Sequence, residues 1–186
     1  MPVTKLDTTA ALIVIDLQKG IVGLPTVHPA TEIVARSAQL ARAFRERGLP
    51  VVLVNVTAAA PGRTDAGPLN LSGLPADWAE LVPELEQKPG DYLVTKKRVG
   101  AFIGTSLDEI LRKRGVTQVF LTGVATSAGV EATARNAYDY SYNVVTVVDA
   151  ITDRDAEAHQ LSVQKIFPRI SEMDITDNAL KLLKKA

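Results

Sequence analysis

Residues 10–16 read AALIVID, six apolar side chains in a row that end at the charged Asp16. A continuous apolar run of this length, without alternation of apolar and polar side chains, is typical of a strand buried on both faces in a parallel sheet. The pattern recurs in four further runs, at residues 51–56, 92–95, 118–122 and 143–148. These five runs predict the strands of a sheet covered by helices on both sides.

Segments with helical spacing separate the predicted strands. Residues 29–47 carry apolar side chains at helical intervals and end at Gly48. Further helices are predicted at residues 106–114, 128–140, 156–166 and 176–185, with a last short strand at residues 169–172. Alternation of strands and helices predicts an α/β fold built from βαβ units. With 186 residues, the chain is expected to form one domain over residues 1–186.

The composition excludes several classes of function. There are 21 basic and 21 acidic residues, which argues against nucleic acid or an anionic membrane as the main partner. The absence of cysteine excludes disulfides, thiolate metal sites and a cysteine nucleophile. Only His28 and His159 are present, so a centre with several histidine ligands is not expected, and we predict neither a metal nor another cofactor. Without a targeting segment, a cytoplasmic protein is expected.

Residues 57–90 differ from the rest of the chain because they are rich in proline and glycine and show little periodicity. A connection of this length inside a compact domain is usually a functional loop, so we predict a lid over the carboxyl edge of the sheet. Its single tryptophan, Trp78, has two interpretations: a buried anchor for the loop, or a flat apolar wall of a ligand pocket.

Polar residues follow the predicted strands at their carboxyl ends. In a doubly wound sheet, ligands bind outside these ends, near the point where the strand order reverses. The candidates that this rule collects are Asp16, Gln18, Asn55, Thr57, the segment 96–98 and the segment 123–129. We therefore expect these segments to meet in one crevice.

Asp16 and Lys96 each end an apolar strand with a charge. A buried carboxylate is costly unless it is paired, and Lys96 is the expected partner. Such a pair has two interpretations. It is either a structural ion pair at the sheet edge or the acid–base group of an active site.

The segment 123–130, GVATSAGV, links a predicted strand to a predicted helix. Its backbone amides are candidates for binding an oxyanion or a ligand carboxylate. The alternative is an ordinary turn in which Thr126 or Ser127 caps the helix. Ser127 lacks the surroundings of a nucleophile. His159 is expected to be a packed or capping side chain, and His28 a surface residue.

Four stretches of the chain resemble the isochorismatase-like hydrolases, also called the cysteine hydrolase family. They are residues 12–18 (LIVIDLQ), 95–107 (TKKRVGAFIGTSL), 121–135 (LTGVATSAGVEATAR) and 148–150 (VDA). The resemblance extends over residues 8–180 or so and implies a Rossmann-like parallel sheet with helices on both faces, in three α/β/α layers. It also implies a homodimer or homotetramer and a cis peptide between Val124 and Ala125.

The resemblance implies that Asp16 and Lys96 are the aspartate and lysine of the family's active site. The family's cysteine nucleophile falls on Gly129, so the position is vacated and a thioester mechanism is not available. The metal-binding nicotinamidase branch is not expected either, because its histidine ligands have no counterpart after Asn55. Cys-less relatives are either true isochorismatases, which cleave a vinyl ether with water, or proteins without a settled activity. Val99-Gly100 favours the second kind.

These observations favour a hydrolase that acts on a small molecule by Asp16 and Lys96 acid–base chemistry, without a covalent intermediate. Two alternatives remain: a ligand-binding or scaffold protein that has lost catalysis, and a true isochorismatase that releases pyruvate. In addition to the catalytic positions, the residues predicted to contact substrate are Gln18, Asn55, Trp78, Phe102, Ala125, Thr126, Ser127 and Val130.

Overall fold

The computed structural model describes residues 3–65, 67 and 73–185. Its centre is a six-stranded sheet. The strands are β1 (Ala10–Ile15), β2 (Val51–Val56), β3 (Tyr92–Lys96), β4 (Gln118–Val124), β5 (Asn143–Thr152) and β6 (Glu172–Asp174). All neighbouring pairs are parallel, and the order across the sheet is β3-β2-β1-β4-β5-β6. This arrangement confirms the predicted α/β fold.

Helices cover the sheet on two sides. They are α1 (Lys19–Val22), α2 (Ala30–Glu46), α3 (Leu107–Lys113), α4 (Glu131–Asp139), α5 (Ala156–Leu161) and α6 (Thr176–Lys185). Every residue of β1 is buried, as the continuous apolar run predicts. Leu12 and Val14 pack with apolar residues of α2 and α6, whereas Ile13 and Ile15 pack with those of α3 and α4. Alternate side chains of one strand therefore enter two separate cores, which gives the predicted three layers. None of the helices in the described ranges is long and apolar enough to cross a membrane.

Some boundaries differ from those that the sequence pattern predicts. β5 continues to Thr152, four residues beyond the predicted end, because its pairing with β4 resumes after an irregularity between Leu121 and Gly123. The last strand lies at Glu172–Asp174, since Phe167–Arg169 form a short 3-10 turn. Helical periodicity cannot distinguish an α-helix from the wider π turns that the structure shows at Thr126–Val130 and Ser162–Ile166.

The predicted lid over residues 57–90 is described in part, and its residues 66 and 68–72 lie outside the described ranges. Its later part packs beside the carboxyl end of β1. The amide of Val82 donates to the carbonyl of Leu17 at 3.1 Å, and the amide of Lys19 donates to the carbonyl of Glu80 at 2.8 Å. Pro83–Leu85 then form a 3-10 turn. A role for this segment as a lid stays a prediction.

Candidate active site

The strand order reverses between β1 and β4, where β1 is followed by β2 on one side and β4 by β5 on the other. This is the switch point at which doubly wound sheets bind their ligands. Gly123 allows the two strands to approach there. Its φ is +120°, and a Cβ atom at this residue would collide with the backbone of Ile15. The residues that follow β1 and β4 therefore lie side by side.

Asp16 and Lys96 are brought together at this edge of the sheet. Lys96 Nζ lies 2.8 Å from Asp16 Oδ2, and the two side chains are 3% and 7% exposed, respectively. Lys96 is the last residue of β3, and Asp16 is the first residue after β1. Asp16 has a φ of 54°, a left-handed conformation that a non-glycine residue adopts at some cost. The chain therefore accepts backbone strain at the residue that carries the buried carboxylate.

Only one of the two oxygens of the Asp16 carboxyl group has a hydrogen-bond partner. Burial raises its pKa from 3.8 to about 6, while the charge and the hydrogen bond of Lys96 act in the opposite direction. Lys96 Nζ also donates to the carbonyl of Arg98 at 3.3 Å. Asp16 Oδ1 is buried and has no hydrogen-bond partner. A carboxyl group that titrates near neutral pH and keeps one oxygen uncommitted is suited to transferring a proton.

Gly129 lies against this carboxylate. A Cβ atom at Gly129 would come within 3.3 Å of Asp16 Oδ2 and 3.2 Å of the side chain of Ile15. The carbonyl of Gly129 accepts a hydrogen bond from Thr133 Oγ1 at 2.7 Å, and Thr133 Oγ1 in turn accepts from the amide of Ala101 at 3.0 Å. Thr133 therefore ties the turn that contains Gly129 to the loop that follows Lys96.

The π turn after β4 uses several of its own amides within the protein. The amides of Ala128 and Val130 both donate to the carbonyl of Ala125 at 3.1 Å. The amide of Ser127 donates to Asp153 at 2.7 Å. The amides of Ser127, Ala128 and Val130 are therefore already bonded within the protein, and those of Thr126 and Gly129 stay predicted oxyanion donors. The peptide between Val124 and Ala125 is cis, as the resemblance implies.

The side chains of Thr126 and Ser127 are held from outside the turn. Thr126 Oγ1 lies 2.9 Å from His159 Nδ1, and Ser127 Oγ donates to Asp153 Oδ2 at 2.8 Å. Ser127 is exposed and has a carboxylate rather than a histidine as its partner, which agrees with its rejection as a nucleophile. His159 is buried, as predicted, and His28 is exposed and packs edge-on against it at 4.9 Å between ring centroids.

Two residues predicted to contact substrate, Gln18 and Asn55, connect the segment 57–90 to the sheet. Gln18 is fully buried, and its side-chain amide donates to the carbonyls of Val56 and Trp78 and accepts from the amide of Val56. Asn55 Nδ2 donates to the carbonyl of Ala79 at 2.9 Å. Both amide hydrogens of Gln18 are used in this way, and its contact with a substrate stays a prediction.

Trp78 packs directly on Gly20, where a Cβ atom would collide with the indole ring. The amide of Gly20 also donates to the carbonyl of Trp78 at 3.0 Å. These contacts favour the anchor interpretation of Trp78 over a pocket wall.

Two predicted pocket walls belong to the core. Phe102 is 4% exposed, and its ring packs against those of Tyr140 and Tyr142, at 5.4 and 5.9 Å between ring centroids. Val130 is completely buried in the apolar cluster that also contains Ile15. Both side chains are stabilised by packing against other apolar groups, and their contact with a substrate stays a prediction.

The sequence-based search missed Asp153 at this edge, and it predicted His159, which contacts Thr126, only as a packed or capping side chain. Asp153 follows β5 directly, as Asp16 follows β1, so the rule that collected the other candidates would have found it. It was missed because β5 was predicted to end at residue 148. Across residues 3–65, 67 and 73–185, no three histidine, aspartate or glutamate side chains are placed to hold a metal ion.

Comparison with known proteins gives consistent results. Residues 10–177 match the isochorismatase domain family. The chain is 40% identical over 180 residues to the uncharacterized isochorismatase family protein YwoC of Bacillus subtilis strain 168, covering 94% of both chains. A solved isochorismatase family protein of Burkholderia thailandensis has a TM-score of 0.92 and 41% identity, covering 97% of this chain and 98% of that one.

N-carbamoylsarcosine amidase of Thermoplasma acidophilum is also similar, with a TM-score of 0.75 and 29% identity over 91% of this chain and 98% of that one. The likeness to each of these proteins extends over nearly the whole domain, and the family match includes both Asp16 and Lys96. The chain therefore belongs to the isochorismatase family, whose members are hydrolases.

Proposed function

We propose that this protein hydrolyses a small molecule by acid–base chemistry at Asp16 and Lys96, without a covalent cysteine intermediate. The observation that carries the proposal is the buried ion pair of 2.8 Å, in which Asp16 Oδ1 keeps no partner. A structural ion pair is expected to satisfy both oxygens of its carboxylate when they are buried. The unsatisfied oxygen therefore supports a role that involves a substrate or a water molecule.

Asp16 is the proton-transfer group in this mechanism. With a pKa of about 6, it is mostly ionised at pH 7 and is a stronger base than an ordinary aspartate. Oδ1 takes a proton from the attacking water, whose oxygen bonds to the electrophilic carbon of the substrate. The bond between this carbon and the leaving group then breaks, its electron pair stays with the leaving group, and the same carboxyl group returns the proton to it, so that the products together contain the atoms of the substrate and one water molecule.

Lys96 keeps the carboxylate in place and compensates its charge while the proton moves. Its ammonium group bonds to Oδ2, and Oδ1 keeps no hydrogen-bond partner of its own. The amides of Thr126 and Gly129 are the candidate donors to a substrate oxygen on which negative charge develops. Water takes the part of the nucleophile because residue 129 is glycine and the chain contains no cysteine.

The test begins with a panel of amides, esters and vinyl ethers, with products followed by mass spectrometry. For a confirmed substrate, Asp16→Asn is expected to lower kcat by about 10²–10⁴-fold, the usual contribution of a positioned proton-transfer group. In water enriched in ¹⁸O, the heavy oxygen is expected in the product. The intact protein is expected to gain no mass during turnover.

Asp139→Asn serves as the matched control. It makes the same change of charge as Asp16→Asn, at an exposed residue at the end of α4. Full turnover by Asp16→Asn, or a covalent adduct on the protein, contradicts the proposal. Binding of a panel member without turnover supports the ligand-binding alternative. Release of pyruvate from isochorismate identifies a vinyl ether as the substrate.

A further inference from the structure

The π turn at Thr126–Val130 is held by two side chains, Asp153 from the connection between β5 and α5 and His159 from α5 itself. Asp153 Oδ2 accepts hydrogen bonds from the backbone amide of Ser127 at 2.7 Å and from its hydroxyl at 2.8 Å. His159 Nδ1 lies 2.9 Å from Thr126 Oγ1. We call Asp153 and His159 the β5–α5 clamp. It contacts two consecutive residues of the turn and comes from a separate part of the sequence.

The residues of the clamp are buried and well hydrogen-bonded, unlike those of a chance surface contact. Asp153 is 5% exposed, His159 is 7% exposed and Thr126 is completely buried. The second oxygen of Asp153 accepts from the amides of Arg154 at 2.7 Å and Asp155 at 3.3 Å. Every oxygen of this carboxylate is therefore occupied by N–H or O–H donors, in contrast to the half-occupied Asp16.

Asp153 stays ionised because of these donors. Burial disfavours its charged form, but the hydrogen bonds from the amide and hydroxyl of Ser127 and from the amides of Asp155 and Arg154 hold its pKa below the usual range. A charged acceptor makes stronger hydrogen bonds than a neutral one, and strong bonds fix the backbone to which they are made. The contact with Ser127 is therefore a firm point of attachment for the turn.

We infer that Asp153 and His159 are positioning residues of the proposed active site, which set the distance between the turn and the Asp16 carboxylate. The inference rests on the proposed function and adds residues to it. Gly129 follows Ser127 by two positions, and a Cβ atom there would lie 3.3 Å from Asp16 Oδ2. The clamp fixes one end of the turn, and Thr133 fixes the carbonyl of Gly129 at the other.

The position of the turn has an effect on Asp16 that is measurable without substrate. The turn forms part of the wall that keeps water from the Asp16 carboxylate, and burial is the main cause of the raised pKa of that group. If the clamp is weakened, the turn moves and water reaches the carboxylate. The pKa of Asp16 is then expected to fall from about 6 toward its ordinary value.

Asp153→Asn is the decisive variant. Asparagine keeps the size of the side chain but replaces one acceptor oxygen with an NH₂ donor, so it cannot accept from all the groups that Asp153 serves. With ¹³C-labelled aspartate, the carboxyl resonance of Asp16 is titrated by NMR. The expected result is a fall in its pKa by about one unit or more. Ser127→Ala removes the hydroxyl contact alone and is expected to give a smaller fall in the same direction.

Asp155→Asn is the matched control. Asp155 lies two residues further along the same connection, and its side chain caps α5 by accepting from the amides of Glu157 and Ala158. Asparagine is also a good helix cap, so this variant should leave the titration of Asp16 unchanged. Circular dichroism shows whether each variant is folded. If Asp153→Asn does not fold, the titration of Asp16 in Ser127→Ala tests the inference.

The inference is overturned if folded Asp153→Asn and Ser127→Ala proteins titrate Asp16 as the wild type does. Once a substrate is known, Asp153→Asn is also expected to lower kcat by about 100-fold with little change in KM, as a misplaced reacting group does. The NMR titration needs no substrate. The two proposals can therefore fail separately. If the clamp variants shift the pKa of Asp16 but the protein hydrolyses nothing, the proposed function fails and the positioning role of the clamp stands.

Discussion

Two ion pairs with buried carboxylate groups lie at opposite ends of β3. At the carboxyl end, Lys96 Nζ lies 2.8 Å from Asp16 Oδ2, and at the amino end, Arg45 Nη2 lies 2.8 Å from Asp91 Oδ2. The carboxylate side chains are almost equally buried, 7% exposed for Asp16 and 2% for Asp91. The length of the contact and the burial of the carboxylate therefore do not distinguish the two pairs, although Arg45 is 16% exposed and Lys96 only 3%.

The difference is in how the two carboxylates are used. Asp91 binds Arg45 through both oxygens, with Nε at 2.9 Å and Nη2 at 2.8 Å, and also accepts from the amide of Lys88. The buried polar atom without a partner in that pair is Arg45 Nη1, on the cation. Asp16 binds Lys96 through one oxygen and leaves the other buried and unused. An ion pair that is incomplete on the carboxylate side is the better indicator of an active site.

Of the substitutions that test the difference between the two ion pairs, Lys96→Met is expected to have the largest effect on activity. Loss of the ammonium removes both interactions that lower the pKa of Asp16, so this pKa should rise above 6. Turnover of a confirmed substrate should fall by about 10²–10⁴-fold, because the proton-transfer group is no longer oriented. NMR titration and steady-state kinetics measure the two effects. An unchanged Asp16 pKa in this variant would show that the two groups do not interact in solution.

Arg45→Met makes the same kind of change at the other pair. Removal of Arg45 leaves the buried carboxylate of Asp91 without its cation, and the free energy of unfolding should fall by about 3 kcal/mol. The titration of Asp16 should not change, since Arg45 lies at the opposite end of β3. Urea denaturation and the NMR titration provide the measurements. A shift of the Asp16 pKa in Arg45→Met would mean that the two pairs are not independent.

A smaller effect is expected in the pH dependence of stability. The folded-state pKa of Asp16, about 6, is above the value of 3.8 for an unfolded chain, so the folded protein binds the proton more tightly. The stability that this proton provides is present below pH 3.8 and is lost as the pH rises through 6. Between pH 4 and 7, the wild type should lose about 2 kcal/mol relative to Asp16→Asn. Parallel stability profiles of the two proteins would rule this out.

The fold and the central pair follow from patterns that are local in sequence. Uninterrupted apolar runs such as residues 10–15 identify strands buried on both faces, and a charge directly after such a run marks the edge where Asp16 and Lys96 meet. The side chains that line or support a site depend on packing across the sheet. Phe102 packs with Tyr140 and Tyr142, a contact that no spacing rule predicts.

The extent of β5 has a similar explanation. Its pairing with β4 crosses an irregularity, so a polar interruption at Asp149 suggests an end where the strand in fact continues. This misplaced boundary hides Asp153, which follows the true end. The oligomeric state and the cytoplasmic location implied by the sequence stay predictions.

The close approach at Gly129 limits how this scaffold is re-engineered into an enzyme with a covalent intermediate. A side chain grafted at that residue would bring its Cβ atom within 3.2–3.4 Å of Ile15, Asp16 and the carbonyl of Val124. Contacts of this kind are tighter than nine in ten real ones and require a neighbour to yield by a few tenths of an ångström. Installing a thiol by a single substitution therefore also requires small shifts of the Ile15 and Asp16 side chains, and substitutions that permit these shifts belong in the same library.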